Sequence, residues 1–294
     1  MHYLLCAPSR LYNSQSYQSR MSRIAICAPA TPITRELAER VSALAAEFPS
    51  LELAFHEQCF VEQGHFAGAD ELRLAALLDC ASDPAVDAVW FARGGYGANR
   101  IASAAISRMG PAARDKAFLG YSDAGYLLAG LYRAGIGRSV HGPMPMDLRR
   151  DGGEQAVRRS LAFLAGEPIE PDHSLAQRPV VAFNLMTLAM LCGTDLMPDL
   201  AGHVVMVEEV AEHLYAIDRL FFHVTQHLGG IAGLRLGRVS DVPENDRPFG
   251  AQPEEIARYW CARAGIPYLG SADIGHDAQN RIVPFGVAAS QRLP

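Results

Sequence analysis

The sequence predicts an α/β protein: an N-terminal open, mostly parallel sheet with helices on both faces, followed by a smaller C-terminal domain of α+β or barrel-like character. Three observations point there. Apolar runs of strand length alternate with helix-length segments through the first half, the signature of βαβ units. The alternation stops at a proline-bearing stretch, GEPIEPDHSLAQRP, and a different pattern follows. The length of 294 residues is also where a single core stops growing, at ~250 to 300 residues, so two domains are expected.

Residues 1–20 contain one short apolar run, Tyr3 to Pro8, followed by SRLYNSQSYQSR. It is too short for a signal-peptide core or a membrane span, so a disordered or mis-annotated leader and a cytoplasmic protein are expected. The first domain, 21–165, opens with a strand at Arg23 to Ala28 that Pro29 ends, and Thr34 to Phe48 has apolar residues at helical spacing. Strands then follow at Leu51 to Phe55, Ala85 to Ala92, Ala117 to Tyr121 and Arg138 to His141. Helices alternate with them at Asp70 to Ala81, Ala98 to Arg108 and Asp123 to Ala134, and another follows at Gly153 to Ala165. Such alternation implies parallel strands covered on both faces. The linker is expected at 166–180 and the second domain at 181–294. That domain begins with an apolar stretch through Leu191, then a strand at His203 to Val207, a helix at Glu212 to Leu228, and short strands with Gly/Pro turns.

Composition excludes several classes of function. With 26 basic against 32 acidic residues and a net charge of −6, the chain lacks the footprint that grips a phosphate backbone, so nucleic acid is not an expected partner. All but one of the basic residues are arginines. The lone lysine, Lys116 in DKAFLGY, fits no Schiff-base, Ser-Lys or phosphate-loop setting. The six cysteines show no C-x-x-C spacing and read as buried free thiols in a reducing compartment.

Three segments have the residue types that acyl-transfer chemistry needs. In GYSD, 120 to 123, a strand runs straight into Ser122 and a helix follows, an elbow that exposes a hydroxyl at the carboxyl edge of a parallel sheet. Helix capping is the competing reading for this serine, and Ala124 stands where G-x-S-x-G has its second glycine. The backbone N–H of Asp123 is a candidate oxyanion donor. In ARGGYG, 92 to 97, glycines after a strand let the backbone approach a ligand; the order is not G-x-G-x-x-G, and Gly95 is the candidate second donor. The third source is downstream: Glu208 and Glu209 after HVVMV, and His276 in SADIGHDAQN, supply an acid and a base. His141 is read as a packing or supporting residue. His223 and His227, four apart in FFHVTQH, share a helix face, but the H-E-x-x-H glutamate is missing and surface or interface histidines are the preferred reading.

Together these segments resemble the serine LD-carboxypeptidases, or murein tetrapeptide carboxypeptidases, with their microcin-immunity branch. The resemblance rests on A-R-G-G-Y-G at 92–97, G-Y-S-D at 120–123, H-G-P at 141–143, G-T-x-x-x-P at 193–198, V-E-E-V-x-E-x-x-Y-x-I-D-R at 207–219 and G-H at 275–276, in that order. It implies a Ser-Glu-His triad of Ser122, Glu208 and His276, with oxyanion donors at Asp123 and a glycine of the RGGYG turn. It also implies a cytoplasmic homodimer that needs no metal or cofactor and removes a terminal D-amino acid from a muropeptide. Arg93, Gly94, Tyr96 and Asn184 are the expected substrate contacts, Arg93 or the glycine amides meeting the substrate's free carboxylate. One departure is Ala182-Phe183 ahead of Asn184, where the family commonly has two glycines; if that segment lines the pocket, Phe183 adds bulk there. A microcin-type peptide-nucleotide amidase, another α/β serine hydrolase and a non-catalytic ligand-binding α/β protein remain as alternatives.

Overall fold

The computed structural model describes residues 21–169 and 178–286. The leader at 1–20 and most of the linker expected at 166–180 lie outside the described residues. Six strands form the first sheet: β1 (Ser22–Cys27), β2 (Leu51–Phe55), β3 (Ala88–Phe91), β4 (Ala117–Gly120), β5 (Arg138–His141) and β10 (Val283–Pro284), in the order β10-β5-β4-β3-β1-β2. All pairings in it are parallel except that of β10 with β5. Helices α1 (Arg35–Ala45), α2 (Asp70–Ser82), α3 (Ala98–Arg108), α4 (Gly125–Ala134) and α5 (Gly153–Leu164) cover its two faces.

Strand alternation explains why both faces need cover. Ile24 and Ile26 of β1 and Trp90 of β3 face one core, shared with Leu37 and Val41 of α1 and Leu161 of α5. Ala25, Cys27, Val89 and Phe91 face the other, shared with Leu77 of α2, Ile101 of α3 and Leu127 of α4. Trp90 is fully buried and its indole N–H donates to the Pro143 carbonyl at 2.9 Å, which satisfies its one polar atom. The helix expected from Thr34 starts one residue later because Thr34 is its cap, accepting from the Leu37 N–H at 3.2 Å.

The second part is more regular than expected. Rather than a barrel-like or segregated arrangement, it is an open four-stranded sheet, β6 (Val180–Asn184), β7 (Val204–Val210), β8 (Gly233–Ser240) and β9 (Tyr268–Ser271), with every pairing parallel. Its helices are α6 (Leu185–Leu191), α7 (Leu214–Thr225) and α8 (Pro253–Ala264). The apolar stretch 180–191 thus divides into a strand and a helix, and Asn184 sets the boundary by accepting from the Thr187 N–H at 3.1 Å. One hydrophobic core runs from the first sheet through Leu188 of α6 to Phe221 of α7, so the sheets pack as one body. Gly125 of α4 permits a close approach to α6, since a Cβ there would stand 2.9 Å from the Thr187 methyl. Among the described residues, no helix is long and apolar enough to cross a membrane.

Candidate active site

The strand order of the first sheet reverses between β3 and β1, and in open α/β sheets the crevice at such a switch point receives ligands. Two loops meet there. Thr31, in the loop after β1, donates its hydroxyl to the Gly94 carbonyl, in the loop after β3, at 2.6 Å. In a trans peptide the C=O and N–H point in opposite directions, so anchoring the Gly94 oxygen aims the Gly95 N–H away from Thr31. Gly95 has φ +103°, and a Cβ on it would lie 2.7 Å from the Thr31 methyl, so only glycine fits.

Ser122 follows β4 after Tyr121 and opens a short 3-10 turn, Ser122–Ala124, which runs into α4 at Gly125. Its φ of +59° is left-handed, a conformation that costs a non-glycine residue about 1–3 kcal/mol and is held only when the surroundings over-determine it. The serine is not a helix cap: its Oγ lies 3.0 Å from His276 Nε2. The neighbouring Asp123 carboxylate fastens the elbow to the glycine loop, accepting from the Ala98 N–H at 2.8 Å and from the Gly97 N–H at the start of α3. Burial pushes that carboxyl up to about 6. A Cβ on Gly94 would stand 3.0 Å from Ser122 Oγ and 3.5 Å from the Asp123 nitrogen, so Gly94 is the glycine that lets the loop touch the elbow.

The second sheet contributes the other two side chains. Glu208 and Glu209 lie within β7 rather than beyond its end, and successive strand residues face opposite sides, so the two acids part company. Glu208 is fully buried and its Oε2 lies 2.7 Å from His276 Nδ1. A carboxylate can only accept, so Nδ1–H donates to Glu208 and Nε2 is left to accept the Ser122 hydroxyl. Glu209 instead accepts from Asn184 Nδ2, from the Met186 N–H and from its neighbour's N–H at Val210, and burial pushes it up to about 7. His276 lies in the loop between β9 and β10, with its ring 4.8 Å from that of Tyr121. Tyr121 is itself fixed by donating to Asp147 Oδ1 at 2.6 Å.

Of the residues expected at a substrate site, Gly94 packs against Ser122, and the others make the following contacts within the protein. Tyr96 is half-exposed on the same loop, 6.0 Å ring to ring from Phe66. Arg93 donates to the Pro32 carbonyl at 3.3 Å and has no carboxylate partner among the described residues; burial and the nearby Arg149 press its pKa down. Asn184 spends both polar atoms within the protein, one on the α6 cap and one on Glu209. Phe183 does not bulk out a pocket but is buried against Phe285, ring centroids 5.1 Å apart. Lys116 is structural, donating to the Asp83 and Val86 carbonyls. The described cysteines are all free.

Sequence reasoning missed Thr31, the Asp123 side chain and Asn280. Asn280 Oδ1 accepts from the Gly275 N–H at 3.3 Å and lies 2.9 Å from His141 Nε2, which braces the loop that presents His276. No motif marks such residues; they are legible only once the loops are in place.

Fold and site define a two-sheet α/β protein whose sheets jointly present a hydrogen-bonded Ser–His–Glu row, the order in which a nucleophile, a base and an orienting acid are arranged in serine hydrolases. Residues 24–142 match the LD-carboxypeptidase N-terminal domain and 179–290 the LD-carboxypeptidase C-terminal domain, so the chain belongs to this peptidase family. It is 27% identical to a murein tetrapeptide carboxypeptidase of Pseudomonas aeruginosa over 96% of both chains. A Synechocystis protein named as a carboxypeptidase is 31% identical over 81% of this chain and 80% of its own. The fold is shared with a muramoyltetrapeptide carboxypeptidase from Oxalobacter formigenes (TM-score 0.75, 24% identity, 89% and 93% of the two chains). It is also shared with the microcin C7 self immunity protein MccF (TM-score 0.76, 17% identity, 94% and 98%).

Proposed function

We propose that this chain is a serine-type LD-carboxypeptidase that releases a C-terminal D-amino acid, D-Ala, from muropeptides during peptidoglycan recycling. The observation that carries the reading is the row Ser122 Oγ, His276 Nε2, His276 Nδ1 and Glu208 Oε2, with spacings of 3.0 and 2.7 Å. His276 takes the proton of Ser122 as Oγ attacks the carbonyl of the L-to-D bond, and Glu208 holds the ring in the required tautomer and stabilises its cation. The amides of Asp123 and Gly95 receive the oxyanion. His276 then protonates the leaving amine, and water, activated by the same histidine, releases the peptide from the serine ester.

Arg93 supports the exopeptidase reading, since a half-buried guanidinium on the glycine loop, with no carboxylate partner among the described residues, suits the free carboxylate of a chain end. The muropeptide class is favoured over peptide nucleotides by the murein relative's 27% identity over nearly the whole chain, against 17% for MccF. On this reading the enzyme works in the cytoplasm as a homodimer.

Incubating wild type and Ser122→Ala with a tetrapeptide ending in D-Ala and with aminoacyl nucleotides, followed by mass spectrometry, tests it. Wild type is expected to release D-Ala, and the variant to lose at least ~10³-fold in rate while staying folded. Turnover by the variant, or cleavage of the nucleotide substrates alone, would refute the proposal.

A further inference from the structure

Away from the Ser–His–Glu row, the ends of α6 and α7 bring a distant cysteine to a pair of histidines four residues apart. Cys192 caps the carboxyl end of α6, His223 occupies the last turn of α7, and His227 lies two residues past that helix. Their ligand atoms all lie within 4.8 Å of one another. The imidazoles are 4.6 Å apart, ring to ring.

The geometry points to a binding site for a zinc-class divalent cation at Cys192, His223 and His227. The donor set is one sulfur and two imidazoles with no carboxylate, which selects borderline-soft ions such as zinc over magnesium or calcium. The histidine pair is also prepared. His227 Nδ1 lies 3.0 Å from the His223 carbonyl, and because a carbonyl only accepts, that nitrogen has the proton and Nε2 keeps its lone pair for a metal. Such an outer hydrogen bond fixes ring and tautomer in metal-binding histidines.

Coordination would take the thiol proton to solvent and leave a thiolate, two neutral imidazoles and one position for water, a tetrahedral set of three protein ligands. Access is not a barrier, since Cys192 and His223 are partly exposed and His227 is exposed. The ion would clip α6 to α7. Because Thr187 of α6 donates to the Ser122 carbonyl at 3.4 Å, the clipped helix is the one that backs the serine elbow. The HxxxH pair alone lacked a third ligand in sequence; the fold supplies it from a residue 31 positions before His223.

The test is cobalt titration of the full chain, with zinc competition. Wild type is expected to take up one Co²⁺ per chain, with a thiolate-to-metal band in the near ultraviolet and intense visible bands of tetrahedral cobalt, both bleached by zinc. Cys192→Ser should lose the near-ultraviolet band. His227→Gln, at an exposed position that leaves folding intact, should weaken binding by at least ~10-fold. Absence of saturable uptake, a thiolate band that persists in Cys192→Ser, or unchanged affinity in His227→Gln would each overturn the assignment. The readouts are spectroscopic and do not depend on what the serine site hydrolyses.

Discussion

The hydroxyl of Thr31 donates to the carbonyl of Gly94 at 2.6 Å, tying the loop after β1 to the loop after β3 at the point where the sheet's strand order reverses. The bond orients a peptide rather than a side chain: it fixes the plane whose N–H belongs to Gly95. Thr31 is therefore a positioning residue for the proposed oxyanion pair. Thr31→Val keeps the shape and removes the donor. It is expected to lower kcat by roughly 10- to 100-fold with KM little changed, as misplacement of a preorganised group does. Steady-state kinetics on D-Ala release checks this, and an unchanged kcat would separate Thr31 from the chemistry.

The left-handed φ of Ser122 leads to a second expectation, on stability rather than rate. Glycine adopts φ near +60° without the Cβ penalty that alanine retains there. Ser122→Gly and Ser122→Ala should both be inactive, but the glycine variant should be the more stable, by up to about 1 kcal/mol after its extra unfolded-state entropy. Urea denaturation of the two variants side by side measures the strain held in the elbow. Equal midpoints would mean that the surroundings relax around alanine.

His141 sets a pH dependence. It is fully enclosed, and burial pulls its imidazole down to about 4, with the nearby His276 adding to the effect. A histidine that is harder to protonate folded than unfolded contributes stability that is complete above its unfolded value, near 6.5, and is lost as pH falls toward 4. Asp123 and Glu209, both pushed up by burial, act with the opposite sign, so the profile of the wild type alone is a compromise. Comparison with His141→Gln isolates the histidine. The stability difference between wild type and variant should shift toward the variant by on the order of 2 kcal/mol from about pH 7 to about pH 5. Parallel denaturation curves at the two pH values decide it, and a constant difference would place His141 outside the acid response.

Much of the first sheet was legible because its strands are buried on both faces and so stand out as apolar runs, as RIAICA does in β1. The serine elbow was legible because GYSD joins strand to helix. Glu208 was harder: it sits inside β7, where a carboxylate in an apolar strand reads as the strand's end, and only the facing imidazole explains its burial. Asn184 was legible only as an expected substrate contact, whereas the roles the fold gives it are a local cap on α6 and a bond to Glu209 that spans 25 residues. Thr31 and Asn280 act through backbone groups of distant loops and leave no spacing to recognise.

The loop bearing His276 is strung between β9 of one sheet and β10 of the other, and β10 then docks antiparallel on β5 while Gly286 N–H donates to the Val180 carbonyl. This late return stitch closes the loop that presents the imidazole to Glu208 and Ser122. On a ribosome emitting the chain from its amino end, the elbow can form long before its histidine exists. On the proposed reading, the serine hydroxyl therefore stays an ordinary alcohol, and the nascent protein chemically silent, until the last stretch of the second sheet's return has emerged.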